Sequence, residues 1–174
     1  MTTYFDLDGV LNDFEDWSLS LNPKTFRNTY EMTTTLLQNY RDAFFTSRPY
    51  EKGLKVLEVK RSQNPKILTS LPYREDFQKY YPYLWESYKE SGTMLDIDYI
   101  FETFRENKRK WCENYLQIPR ERVIIVESNE AKWEWCREGD VLYDDNPYTI
   151  AGWNERGGIG VLLKFGKETW RKRQ

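Results

Sequence analysis

Asp6 and Asp8 stand one residue apart at the end of a short apolar run, Tyr4-Phe5-Asp6-Leu7-Asp8-Gly9-Val10-Leu11. If the run is a strand, both carboxylates project to the same side, because side chains alternate with period two. Two anions held that close need a cation beside them, or one must keep its proton. A divalent ion such as Mg²⁺ supplies the charge through oxygen ligands. The bland alternative is a strand running into a solvated acidic turn, and these residues alone leave both readings open. Other chemistry is excluded at once, because the chain contains no histidine. Ser-His-Asp and Cys-His catalysis, histidine-bound zinc and imidazole acid–base work all fall away. An enzyme built from this chain runs on carboxylates, hydroxyls, lysines and an oxygen-bound metal.

The elements that would position these carboxylates alternate between short apolar strands and helices. After the opening strand, Asn22-Pro23 reads as a turn, and Met32, Leu36, Leu37, Tyr40 and Phe44 give helical spacing over Glu31 to Phe45. A second helix spans Pro49 to Gln63, and Lys66-Ile67-Leu68-Thr69 is a strand leading into Ser70. From Leu71 to Asn107 the chain is crowded with tyrosines and interrupted by Pro72, Pro82 and Gly92, with helical pieces between. A helix follows from Asn107 to Leu116. Val123-Ile124-Ile125-Val126-Glu127 reads as a buried strand, and Ser128 as the cap of a helix through Arg137. Val141-Leu142-Tyr143-Asp144 and Ile159 to Lys164 complete the strands, with a basic tail from Lys167. This order describes an open α/β fold with a central parallel sheet. Ligands bind such sheets at the carboxyl ends of the strands. Asp6 and Asp8, Thr69 and Ser70, and Asp144 and Asp145 all fall at those ends.

At 174 residues the chain suffices for one domain with a proper core. Aromatic residues make up 17% of it, so large rings supply much of the buried area. With 26 basic against 28 acidic residues, nothing calls for a polyanionic partner, and no stable nucleic-acid complex is expected. No apolar run reaches the length of a membrane span. Cys112 and Cys136 form neither a disulfide framework nor a zinc site by spacing, so a reduced, cytoplasmic protein is the expectation.

Three strand ends carrying Asp-x-Asp, Thr-Ser and Asp-Asp, with a lysine before the third, resemble the haloacid dehalogenase superfamily of phosphotransferases. The matching stretches are Asp6-Leu7-Asp8-Gly9-Val10, Ile67-Leu68-Thr69-Ser70, Lys108, and Leu142-Tyr143-Asp144-Asp145. Within that superfamily the chain is similar to the 5′(3′)-deoxyribonucleotidases. Asp8 to Phe14 looks like their opening loop, Phe44-Phe45 with Pro49 and Gly53 like their return from the cap, and Lys108, Trp111 and Tyr115-Leu116 like their lysine helix. The segment between Ser70 and Lys108 is longer than that family's.

The resemblance implies a three-layer Rossmann-like core formed by residues 1–14 and 49–174. Residues 15–48 would form a small helical cap, and 71–107 an extended segment within the core. It implies that Asp6 is the nucleophile and Asp8 the acid and base. Mg²⁺ would be held by Asp6, the Asp8 carbonyl and an aspartate of the Asp144-Asp145 pair. Thr69, Ser70 and Lys108 would bind the phosphoryl group. Phe14 and Phe44 match positions lining the base pocket; the alternative is that they are core. The implied substrate is a nucleoside monophosphate. Another phosphate ester, or a non-catalytic nucleotide-binding or scaffold module, are the competing readings, and an oligomer is compatible with any of them.

Overall fold

Strand β1 (Thr3–Phe5) is buried along its whole length, so both of its faces must meet apolar partners. Tyr4 points to one side, with Leu68, Leu142, Ile150 and Trp153. Phe5 points to the other, with Leu57, Ile67, Trp111, Val123 and Tyr143. Period two thus builds two cores from one strand. The computed structural model describes residues 1–21, 29–89 and 96–165. The Asn22-Pro23 turn, Gly92 and the basic tail lie outside the described residues.

Four more strands complete the sheet: β4 (Lys66–Ser70), β5 (Val123–Val126), β6 (Val141–Asp144) and β7 (Ile159–Leu162). Their order is β5-β4-β1-β6-β7, and every pair is parallel. Helix α3 (Glu51–Lys60) and the end of α5 (Ile97–Trp111) cover the Phe5 face, and α6 (Pro147–Glu155) covers the Tyr4 face. The expected α/β architecture, a parallel sheet between helical layers, is what the chain adopts. β5 is an edge strand, and only its Val123 is buried, so the continuous burial expected of it is not reached.

The chain leaves the core after β1 through a two-stranded neck. Strand β2 (Asn12–Asp13) pairs antiparallel with β3 (Arg48–Pro49), placing Asn12 opposite Pro49 and Asp13 opposite Arg48. Between the two strands lie α1 (Phe14–Leu21) and α2 (Thr29–Gln38). The helix expected to reach Phe45 stops at Gln38. Asn39 donates both its backbone and its side-chain N–H to the Thr35 carbonyl, at 3.1 and 2.9 Å, and a turning segment follows.

The long segment after β4 forms α4 (Arg74–Lys89) and most of α5. Asp96 caps α5 through the Asp98 N–H at 2.9 Å. Pro82 lies inside α4 instead of interrupting it. Phe77 from α4 and Ile100, Phe101 and Phe104 from α5 form an apolar wall, against which Trp17, Leu36, Leu37 and Phe44 pack. Each fully buried ring contributes about 2–3 kcal/mol of transfer free energy. The length of this segment therefore has a physical reason: it is the surface that seats the inserted helices.

Candidate active site

The register of the sheet brings the acidic strand ends together. Phe5 is paired with Tyr143, their rings stacked at 4.5 Å, and the Asp6 N–H donates to the Tyr143 carbonyl at 2.8 Å. One step further along both strands, Asp6 and Asp144 become neighbours with side chains on the same face. Carboxylate oxygens of Asp6, Asp144 and Asp145 all lie within 4.8 Å of one another. Asp6 is 6% exposed and Asp144 fully buried. Gly9, in the left-handed region at φ 77°, turns the chain away; a Cβ there would stand 2.6 Å from Asp145 Oδ2.

The charge on this group is offset by a lysine that the sequence motifs do not single out. Lys132 is fully buried, with its Nζ 2.8 Å from Asp144 Oδ2 and 3.0 Å from Asp6 Oδ2. It sits in a tight 3-10 turn, Glu130–Trp135, in the crossover from β5 to β6. The Ser128-capped helix expected through Arg137 is this turn; Ser128 Oγ accepts the Ala131 N–H at 3.3 Å. Burial alone would push the Lys132 ammonium towards neutrality. The Asp144 and Asp6 charges outweigh it and hold its pKa above the ordinary lysine value. Burial raises the Asp144 carboxyl to about 6, with Asp6 adding to the rise and Lys132 opposing it. The remaining oxygens are bonded too: Asp6 Oδ1 accepts the Leu7 N–H and Asp144 Oδ1 the Asn146 N–H, both at 2.8 Å.

Lys108 is the second buried ammonium. It donates to Asp8 Oδ2 and, at 3.1 Å, to Thr69 Oγ1, so it reaches Asp8 where Lys132 reaches Asp6. Asp8 Oδ1 accepts from Asn12 Nδ2 at 2.9 Å. Thr69 is fully buried on the Lys108 side. Ser70, its strand neighbour, points the other way and donates to Asn129 Oδ1 at 2.9 Å. The structure thus gathers Asp6, Asp8, Thr69, Lys108, Asp144 and Asp145, and adds Lys132 and Asn12.

Phe14 and Phe44 stack on each other at 5.1 Å. Phe44 is 2% exposed, with Phe104 against its edge and the Lys108 ammonium 4.3 Å from its ring centroid, so it offers no open face to a base. Phe14 is half-buried and stacks on Trp17 at 5.3 Å as well as on Phe44. A separate cavity of about 300 Å³ in the insertion is lined by Trp17, Asn39, Asp42, Thr46 and Arg48, among others.

Three carboxylates and no softer donor form a hard-oxygen set, which suits Mg²⁺ rather than a thiophilic metal. No helix among the described residues is long and apolar enough to cross a membrane. Cys112 and Cys136 are both free and buried.

Among solved structures the chain is similar to the HAD domain of the effector protein Lem4 from Legionella pneumophila and to the inactive mutant of that domain. Identity is 12% in both cases. The match covers 98% of this chain and 90% and 89% of those domains, with TM-scores of 0.37 and 0.36. A likeness of that degree carries no activity from one chain to the other. No protein-family model matches the chain, and no curated protein matches it.

Proposed function

We propose that the protein is a Mg²⁺-dependent phosphomonoester hydrolase of haloacid dehalogenase type, with residues 15–48 as a cap over the site. The observation that carries this reading is the buried Asp6–Lys132–Asp144 cluster at the carboxyl ends of two adjacent parallel strands, with Asp8 and Lys108 beside it. Fixed, paired charges in a water-poor site suit the stabilisation of a transferring phosphoryl group.

Asp6 attacks phosphorus through a carboxylate oxygen, and the bond from phosphorus to the ester oxygen breaks. Asp8 gives its proton to the departing oxygen. A water then attacks the aspartyl phosphate, Asp8 takes the proton from that water, and the bond from phosphorus to Asp6 breaks to release inorganic phosphate. Lys132 keeps the nucleophile oriented, and Thr69 and Lys108 supply donors to the phosphoryl oxygens. Asp6, Asp144 and Asp145, with the Asp8 carbonyl, would hold a Mg²⁺, which would supply charge neutralisation for nucleophile and phosphate.

The finer reading is a nucleotidase acting on nucleoside monophosphates. The resemblance of the Asp8 to Phe14 loop supports it. Phosphate release from a panel of nucleoside monophosphates and simple esters, with Mg²⁺ and with chelator, tests both levels. Turnover should require Mg²⁺ and vanish in a folded Asp6→Asn variant. Absence of turnover on every ester would overturn the hydrolase reading, and equal rates on nucleotides and simple alkyl phosphates would overturn the nucleotidase one.

A further inference from the structure

The inserted segment returns to the core through residues 40–47, and α5 grips that return at both ends. At its start, Asn107 Nδ2 lies 2.9 Å from the Arg41 carbonyl oxygen, 3.0 Å from that of Ala43 and 3.4 Å from that of Tyr40. At its end, Trp111 Nε1 donates to the Ser47 carbonyl at 2.7 Å. Both side chains are buried and stand one helical turn apart on α5, so they face the same strip of backbone.

Phe44 lies between these two fastenings with φ 66°, a left-handed conformation that costs a non-glycine residue about 1–3 kcal/mol. Such a conformation persists only where its surroundings over-determine it. Here the bonds from Asn107 and Trp111 fix the backbone on either side. What the conformation achieves is to bring the Phe44 ring under the ammonium of Lys108, the residue that follows Asn107. The Lys108 stem has four rotatable carbons, and a buried ammonium without a fixed third contact could take more than one position. Asp8, Thr69 and the Phe44 ring leave it one, and Asp8 is thereby held between Lys108 and Asn12.

We propose that Asn107 is a positioning residue for the acid–base step: its carboxamide fixes the 40–43 backbone, which seats Phe44 against Lys108 and so aligns Asp8. The catalytic part of this inference rests on the phosphatase reading; the positioning part does not. An aligned Asp8 matters when the leaving oxygen needs a proton. It matters little for 4-nitrophenolate, which departs without one.

The full chain with Asn107→Ala, and separately with Phe44→Leu, should therefore show a raised ratio of kcat on 4-nitrophenyl phosphate to kcat on an alkyl phosphate. A rise of tenfold or more is expected, from the share that general acid catalysis contributes. The ¹⁵N-edited ammonium resonance of Lys108, shifted by the Phe44 ring current in the parent, should move in both variants. A merely structural role would lower thermal stability and both kcat values together and leave their ratio unchanged, which overturns the inference. An unmoved Lys108 resonance in Asn107→Ala overturns it as well, whether or not any ester is hydrolysed. A parent that turns over neither ester, with the resonance shift present, removes the phosphatase reading and leaves the positioning itself standing.

Discussion

The Lys132 ammonium stands 3.0 Å from the Asp6 carboxylate while also 2.8 Å from that of Asp144, with no exposed surface of its own. A cation in that position holds two buried anions together without help from solvent. Removing it by Lys132→Met leaves both carboxylates uncompensated in a dry site. Breaking a buried pair from one side costs about 3–5 kcal/mol. At this chain length that should lower the melting temperature by roughly 6–20 °C in metal-free buffer. On the phosphatase reading, in which Lys132 orients Asp6, kcat should fall by about 10²–10³ under conditions where the variant is folded. A variant with parental stability would show that the bridge is solvated in solution.

The Asp144 carboxyl, raised to about 6 by burial, gives the metal-free fold a definite pH response. Its unfolded value lies near 3.8, so between about pH 4 and pH 6 the unfolded chain has lost this proton while the folded one retains it. Folded protein then binds more protons than unfolded, and stability falls as pH rises through that window. Asp144→Asn should flatten this component, which is read as the difference between the two melting profiles from pH 4 to 7. Mg²⁺ bound by these carboxylates would stabilise the ionised site, so its effect on the parent's melting temperature should be larger at pH 7 than at pH 5. An equal effect at both values would mean that the ion binds elsewhere.

Much of this arrangement is legible in the sequence. Tyr4-Phe5, Ile67-Leu68 and Leu142-Tyr143 are apolar pairs followed at once by polar side chains, so strand and site are written together. Lys132 is not legible, because a lone lysine among Trp133, Trp135 and Cys136 looks the same whether a helix turns it outward or a 3-10 turn aims it at Asp6. Lys108 is flagged by its neighbour Trp111, yet only the geometry places its ammonium on Asp8. Phe44 falls on a helical stripe with Met32, Leu36, Leu37 and Tyr40, and that periodicity conceals the turn beginning at Asn39. The 71–107 segment is opaque for a different reason. Its rings at Phe77, Phe101 and Phe104 face another insertion, and a sequence does not say which apolar face meets which.

Asp145 is half-buried and packs beside Gly9, whereas Asp144 is fully buried against Lys132. The more accessible carboxylate should therefore contribute to ion binding at less cost to the fold. Asp145→Asn should weaken Mg²⁺ affinity by at least about tenfold, measured by calorimetry, and lower metal-free melting by less than Asp144→Asn does. Asp144→Asn should change both. Unaltered affinity in Asp145→Asn would remove it from the metal set.

Gly53 offers a test in which two effects of opposite sign compete. It lies in the first turns of α3, where glycine to alanine ordinarily gains about 1 kcal/mol of helix propensity. Here a Cβ would overlap the Val10 carbonyl oxygen, which belongs to the turn just after Asp8. That turn is already held, since the Tyr50 N–H donates to the Leu11 carbonyl at 2.7 Å and the N–H groups of Val10, Leu11 and Asn12 all point at the Leu7 carbonyl. Backbone meeting backbone has no rotamer to relieve it, so α3 or the turn must shift. Overpacking of this kind costs about 1–3 kcal/mol, which cancels or exceeds the propensity gain. Gly53→Ala should therefore leave the melting temperature unchanged or lower. Because Asn12 holds Asp8 from the same turn, kcat on an alkyl phosphate should fall with it. A rise in melting temperature with full activity would show that α3 does not press on the turn that follows Asp8.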